Sequence, residues 1–142
     1  MINRDQLTVT AIATGLEQKQ WSATEITQAY LNAITEERYN CFLTVTPERA
    51  LAQAAAADDR RAEGKATSLT GVPLAVKDVL TIEGVKTTAG SSILQNYIAA
   101  YTATAVDRLE LAGMVTLGKT NCDEFAMGSS NENSAFGKVL NT

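Results

Sequence analysis

The segment GMVTLGKT (113–120) decides how this chain folds, because it admits two opposite structures. As a string it is G-x-x-x-x-G-K-[ST], the pattern of a loop that cradles phosphates on backbone amides. Such a loop needs a strand before its first glycine, a glycine-rich turn through the variable positions, and a helix starting at the Lys-Thr pair. Here the order is inverted. Val106, Leu109, Glu110 and Ala112 recur at helical spacing ahead of Gly113, so that glycine reads as the left-handed cap of a helix. Met114 to Leu117 are apolar or β-branched, which suits a buried strand and makes a poor nest of amides. The stretch therefore reads as helix cap followed by core strand, and nucleotide binding of the kinase or ATPase kind is disfavoured.

Working outward, LAVK (74–77) is a short apolar run bounded by Gly-Val-Pro and by Asp78, as expected of a strand buried on both faces. With the helical TATAVDRLELAG (102–113) between it and the next strand, the order strand, helix, strand implies a crossover with parallel strands. Residues 1–65 read instead as a helical segment. A first helix is expected from about Thr8 to Gln18. In WSATEITQAYLNAITEERYN (21–40), Ser22 and Glu25 form a capping box, and Ile26, Tyr30, Ala33 and Ile34 share one face. After the apolar stretch Cys41 to Val45, Thr46 and Pro47 supply an N-cap and first position for an alanine-rich helix that ends at Gly64. Its DDRR cluster (58–61) reads as a solvated face. Residues 66–142 then form the first part of an α/β domain.

The 142 residues are enough for one core; 45% are hydrophobic and 20% charged, the balance of a globular protein rather than a disordered one. A net charge of −4 argues against a surface built to neutralise nucleic-acid phosphates, so any RNA involvement is expected through a partner. There is no histidine, and Cys41 and Cys122 stand far apart, which rules out a Cys/His metal cluster, a Ser-His-Asp triad or a Cys-His dyad from these residues. No metal site is expected. The start MINRDQLTV has no apolar secretory core, and no run of about 18 apolar residues could span a bilayer, so a cytoplasmic setting without membrane attachment is expected.

Two further stretches carry chemistry. Lys77 follows Leu74, Ala75 and Val76; inside a covered strand its ammonium would be desolvated, its pKa would fall, and it could serve as a general base. The plainer alternative is a strand-end lysine that reaches water or pairs with an acid. In NCDEFAMGSSNENSAFG (121–137), Asn121 is expected to cap a short helix carrying Asp123 and Glu124 in its first turn. The MGSSNENSAFG that follows offers free amides and small hydroxyls, the composition of a binding loop or of an ordinary turn.

Taken together, GVPLAVKD (71–78), GKTNCDEFAMGSSNENSAFG (118–137) and the helix between them resemble the amidase signature family. Within it, the DEFAMGSSNENSAFG block is most similar to the glutamine-hydrolysing branch found in the tRNA-dependent amidotransferases. The resemblance covers almost the whole chain and implies a three-layer α/β/α fold around a mixed sheet. It also implies a Ser, cis-Ser, Lys mechanism in which Lys77 is the catalytic base, and it places Met127, Gly128 and Ser129 where the family holds the amide substrate. The implied substrate is glutamine, whose ammonia passes to partner B and C subunits of a heterotrimer. The partner side, not this chain, uses ATP and Mg²⁺ and engages the tRNA. The family's two serines sit in later GGSSGGS-like and DTGGS-like segments that are not among these residues. Ser91, Ser92, Ser129, Ser130 and Ser134 lie in neither setting. Val79, Cys122 and the run KVLNT (138–142) also depart from the family pattern.

Overall fold

The computed structural model describes residues 7–36 and 38–141. Most of the stretch read for a secretory leader, and the last residue of the KVLNT departure, lie outside them. The helix starts follow from their caps. Thr8 Oγ1 accepts the Ala11 amide at 3.1 Å to open α1 (Val9–Glu17). At α2 (Ala23–Glu36) the capping box forms reciprocally: Ser22 Oγ accepts the Glu25 amide at 3.0 Å, and Glu25 Oε2 accepts the Ser22 amide at 2.7 Å. The buried stripe of α2 is Ala23, Ile26, Thr27 and Leu31; Tyr30, Ala33 and Ile34 are only half-buried, so the expected face is rotated by part of a turn.

The alanines of α3 (Pro47–Ala62) serve close packing, since Ala50, Ala54 and Ala57 form its buried stripe. Two expectations fail on this helix. Thr46 is no side-chain cap, because its hydroxyl donates to the carbonyls of Thr116 and Leu117 instead. The DDRR run is not simply solvated: Asp58 accepts the Ala23 and Thr24 amides at 2.6 and 3.1 Å, giving α2 a second cap, and Arg61 donates twice to the Thr70 carbonyl. Both tasks fall to the charged end of α3 because orphan backbone groups lie opposite it. Gly64 ends α3 as expected, at φ +71° with the Lys65 amide on Arg60 O and its own amide on Arg61 O.

Three strands, β1 (Phe42–Val45), β2 (Pro73–Lys77) and β3 (Val115–Thr120), form a sheet in the order β1-β3-β2. β1 runs antiparallel to β3, pairing Phe42 with Thr120, Thr44 with Lys119 and Val45 with Gly118. Bonds from Gly71 to Gly113, Val115 to Val72 and Asp78 to Thr120 climb both other strands together, so β2 is parallel to β3. The sheet is mixed, and β3 is its buried centre. Helix α4 (Thr104–Leu111) precedes β3 and ends in the expected way: Gly113 has φ +99°, with its amide on Glu110 O and the Met114 amide on Leu109 O.

The chain forms two compact units. One takes the described part of residues 1–35 with 46–74 and 108–117; the other takes the described parts of 36–45 and 118–142 with 75–107. In the first, a polar knot joins α3, α4 and β3: Glu110 accepts from Arg49 at 2.7 Å, Gln53 at 3.0 Å and Thr116 Oγ1 at 2.6 Å. Burial works against the Glu110 carboxylate, but the bonds from Thr116, Gln53 and Arg49 outweigh it and hold its pKa below the usual value. The second unit contains the residues of the candidate site. Among the described residues no helix is long and apolar enough to cross a membrane.

Candidate active site

β2 delivers Lys77 to its end with the side chain exposed, along with Ala75 on the same face; only Val76 of the strand is fully buried. The expectation of a strand covered on both faces therefore fails among the described residues, because nothing there packs over the face that carries Ala75 and Lys77. The next residue, Asp78, turns inward and is completely buried. Its Oδ1 accepts from Lys119 Nζ at 2.9 Å, while Oδ2 accepts from the Thr88 amide at 2.9 Å and from Thr88 Oγ1 at 2.5 Å. Lys119 also donates to Thr87 Oγ1 at 2.9 Å. Its ammonium is fully enclosed, and that burial lowers its pKa against the opposing pull of Asp78. The desolvated lysine is thus Lys119 rather than Lys77. A phosphate loop is excluded on the same ground, since the ammonium that would meet the phosphates is locked on Asp78 and no helix begins there.

The 121–137 segment folds back on the 87–91 loop. The Phe125 amide donates to Ala89 O at 2.7 Å, the Ala135 amide to Gly90 O at 2.8 Å, and Ser91 Oγ to Glu124 Oε1 at 2.5 Å. Asn121 does not cap a helix: it ties strand to loop, donating to the carbonyls of Asn40 and Gly137 and accepting the Cys122 amide. The expected helix is a single 3₁₀ turn, Glu124–Ala126, and Phe125 and Ala126 are both left-handed at φ 51° and 60°. Asp123 is buried, and its carboxylate accepts the Asn131 and Asn133 amides at 3.0 Å each. Those amides, Asn133's foremost, hold its pKa below the usual carboxylate range. Gly128 lies flat against the same group, where a Cβ would collide with Oδ2.

Of the residues singled out in the sequence, Met127 and Ser129 stand exposed at the loop tip and Gly128 is pinned to Asp123. The positive charge of Lys77 favours the ionised forms of Cys122 and Asp123. Burial first, then Asp78, push the Cys122 thiol above its ordinary pKa, with Lys77 opposing, so the cysteine is held as an unreactive thiol. Asp78, Thr88, Lys119 and Asp123 were missed as partners in the sequence. Their pairings span up to 41 positions, and no local pattern marks them. Among the described residues no three His, Cys, Asp or Glu side chains gather closely enough to hold a metal ion.

The chain that carries these residues has relatives among known proteins. Residues 25–142 match the amidase family model. The chain belongs to the amidase family. It is 59% identical to the A subunit of the glutamyl-tRNA(Gln) amidotransferase of Cupriavidus metallidurans, over 92% of its own length and 26% of the relative's. Among solved structures it is similar to the peptide amidase of Stenotrophomonas maltophilia, with a TM-score of 0.85 and 32% identity over 96% of this chain and 30% of that one. It also aligns with the A subunit of glutamyl-tRNA(Gln) amidotransferase from Thermotoga maritima, with a TM-score of 0.74 and 31% identity over 99% of this chain and 29% of that one. The chain spans about a quarter to a third of the length of these relatives, and the α/β fold with a mixed sheet is that of this part of the amidase architecture.

Proposed function

We propose that this segment belongs to a glutamine-hydrolysing amidase that frees ammonia for the amidation of mischarged Glu-tRNA(Gln) or Asp-tRNA(Asn). The observation that carries this reading is the identity of 59% to the A subunit of a glutamyl-tRNA(Gln) amidotransferase, with Lys77 at the end of β2. In the proposed reaction a serine attacks the amide carbon, a second serine relays the proton, and Lys77 is the base. Neither serine is found in the 142 residues within a GGSSGGS-like or DTGGS-like setting, so this chain supplies the base and the substrate loop of the mechanism. Met127, Gly128 and Ser129 are the proposed substrate contacts, with the Gly128 backbone packed closely against Asp123.

The proposed partners are B and C subunits, which together with this protein form a heterotrimer in the cytoplasm. ATP, Mg²⁺ and tRNA are assigned to the partner side. The enclosure of Lys119 and the net charge of −4 are in keeping with that division. A stand-alone amidase is the second reading, favoured by the TM-score of 0.85 to a peptide amidase. The experiment is to purify the whole protein carrying this segment, with and without the B and C partners, and to follow ammonia release from glutamine and conversion of Glu-tRNA(Gln). Partner-dependent glutamine hydrolysis coupled to tRNA amidation is expected. Vigorous hydrolysis of peptide amides by the protein without partners, with none of glutamine, would overturn the reading in favour of the second.

A further inference from the structure

We propose that Asp78 and Lys119 are positioning residues that hold the backbone of Lys77, and with it the base, at the end of β2. The proposal rests on the reading of Lys77 as base. Its grounds are hydrogen bonds. The peptide that joins Lys77 to Asp78 is held at both ends: its N–H donates to Thr120 O on β3 at 2.9 Å, and its carbonyl accepts the Leu80 amide at 2.9 Å. One residue on, the Asp78 carbonyl accepts the Ala89 amide at 3.2 Å. The Asp78 carboxylate takes three more bonds, on Oδ1 from Lys119 Nζ and on Oδ2 from the amide and hydroxyl of Thr88. Lys119 carries the anchor on to Thr87 Oγ1 at 2.9 Å. These partners are fixed in turn: the Thr87 amide donates to Tyr97 O at 3.1 Å, and Thr88 Oγ1 accepts the Gly90 amide at 3.2 Å.

Lys77 is exposed and Asp78 completely buried, so the two neighbours face opposite ways and the pair acts on Lys77 through the main chain alone. Both side chains of the pair are fully enclosed, so neither meets a substrate. A buried ion pair adds little stability over apolar residues of the same volume, and stability alone does not call for one here. Directional bonds at the end of a strand do something that apolar packing does not: they set where the next residue's Cα sits. A general base works only within hydrogen-bond reach of the proton it takes, so the place of that Cα decides whether the lysine arrives in range.

The test uses the whole protein with its partners and follows glutamine hydrolysis by Asp78→Asn, by Lys119→Met and by the double variant. Each is made once with Lys77 in place and once together with Lys77→Ala, and circular dichroism confirms the fold at the assay temperature. With Lys77 in place, kcat should fall by about 10²-fold, the scale of a 1 Å misplacement, while KM for glutamine stays within about twofold. In the Lys77→Ala background no base is left to misplace, so the same substitutions should change the residual rate by less than about twofold. The double variant, which leaves no unpaired buried charge and so should be the most stable of the three, should be no more active than the singles. A merely structural role would lower the rate by the same factor in both backgrounds and make activity follow stability. Equal losses in both backgrounds, or a folded Asp78→Asn protein with kcat within a few fold of wild type, overturn the proposal. Should the single variants fail to fold, the double variant decides alone by the same comparison of backgrounds. Turnover retained in Lys77→Ala is a separate result, which removes the reading of Lys77 as base and the proposal with it.

Discussion

Replacing Lys119 with methionine tests the buried ion pair at the heart of the second unit. Asp78 and Lys119 are both completely enclosed, and each depends on the other for charge compensation. In Lys119→Met, Asp78 keeps its two bonds from Thr88, yet Oδ1 is left as a buried charge with no cation. Breaking a buried pair from one side costs about 3–5 kcal/mol, against a typical domain stability of about 5–15 kcal/mol. Asp78→Asn strands the Lys119 ammonium with only Thr87 and should cost a similar amount. The double variant removes both charges and loses two hydrogen bonds of about 1 kcal/mol each, so its loss should be about 2 kcal/mol rather than the sum of the singles. Urea titrations followed by far-UV circular dichroism read this directly. With a slope of about 2 kcal/mol/M, each single variant should lower the midpoint by about 2 M and the double variant by about 1 M. Additive losses, or a Lys119→Met loss below about 1 kcal/mol, would refute the reasoning, because the lysine would then be reaching water.

Glu110 sets an acid limit on stability. Its folded pKa lies below its unfolded value, so its contribution is present in full above the unfolded pKa and disappears as pH falls through the folded one. Glu110→Gln should flatten the fall in Tm below about pH 4.5 while changing little of its slope at neutral pH; an unchanged acid slope would contradict the assignment. Ser22→Ala removes half of the reciprocal cap on α2 and should cost about 1 kcal/mol by urea titration, tempered by the second cap from Asp58. The 142-residue chain alone, a base without its serines, should release no ammonia from glutamine above background. Glutaminase activity abolished by Lys77→Ala in that chain would show that a serine among these residues serves as nucleophile.

What the sequence made legible was local. Gly113 could be read as a cap because the helical spacing before it and the apolar run after it adjoin it, and its φ of +99° with two capping bonds is what that reading requires. The Ser22–Glu25 box is likewise complete within four residues. Apart from the rotated face of α2 and the 3₁₀ turn at Glu124–Ala126, the errors concern which partner lies across the fold. The apolar neighbours of Lys77 suggested burial, but the face of β2 that carries Ala75 and Lys77 is left uncovered by the described residues, and periodicity does not say what packs over a strand. Asn121 and Thr46 looked like caps by type, yet carbonyls on a strand or distant loop claimed their side chains. Lys119 looked like a phosphate ligand or a loop residue because its true partner, Asp78, is 41 positions away.

The identity of the base is tested most directly by Lys77→Ala in the whole protein with its partners, with circular dichroism confirming the fold. Lys77 is exposed in this segment, so its loss should leave Tm nearly unchanged. Glutamine-dependent ammonia release should fall by about 10²–10⁴, the usual contribution of a general base, with KM for glutamine little altered. Turnover within a few fold of wild type, from a folded Lys77→Ala protein, would contradict Lys77 as the base.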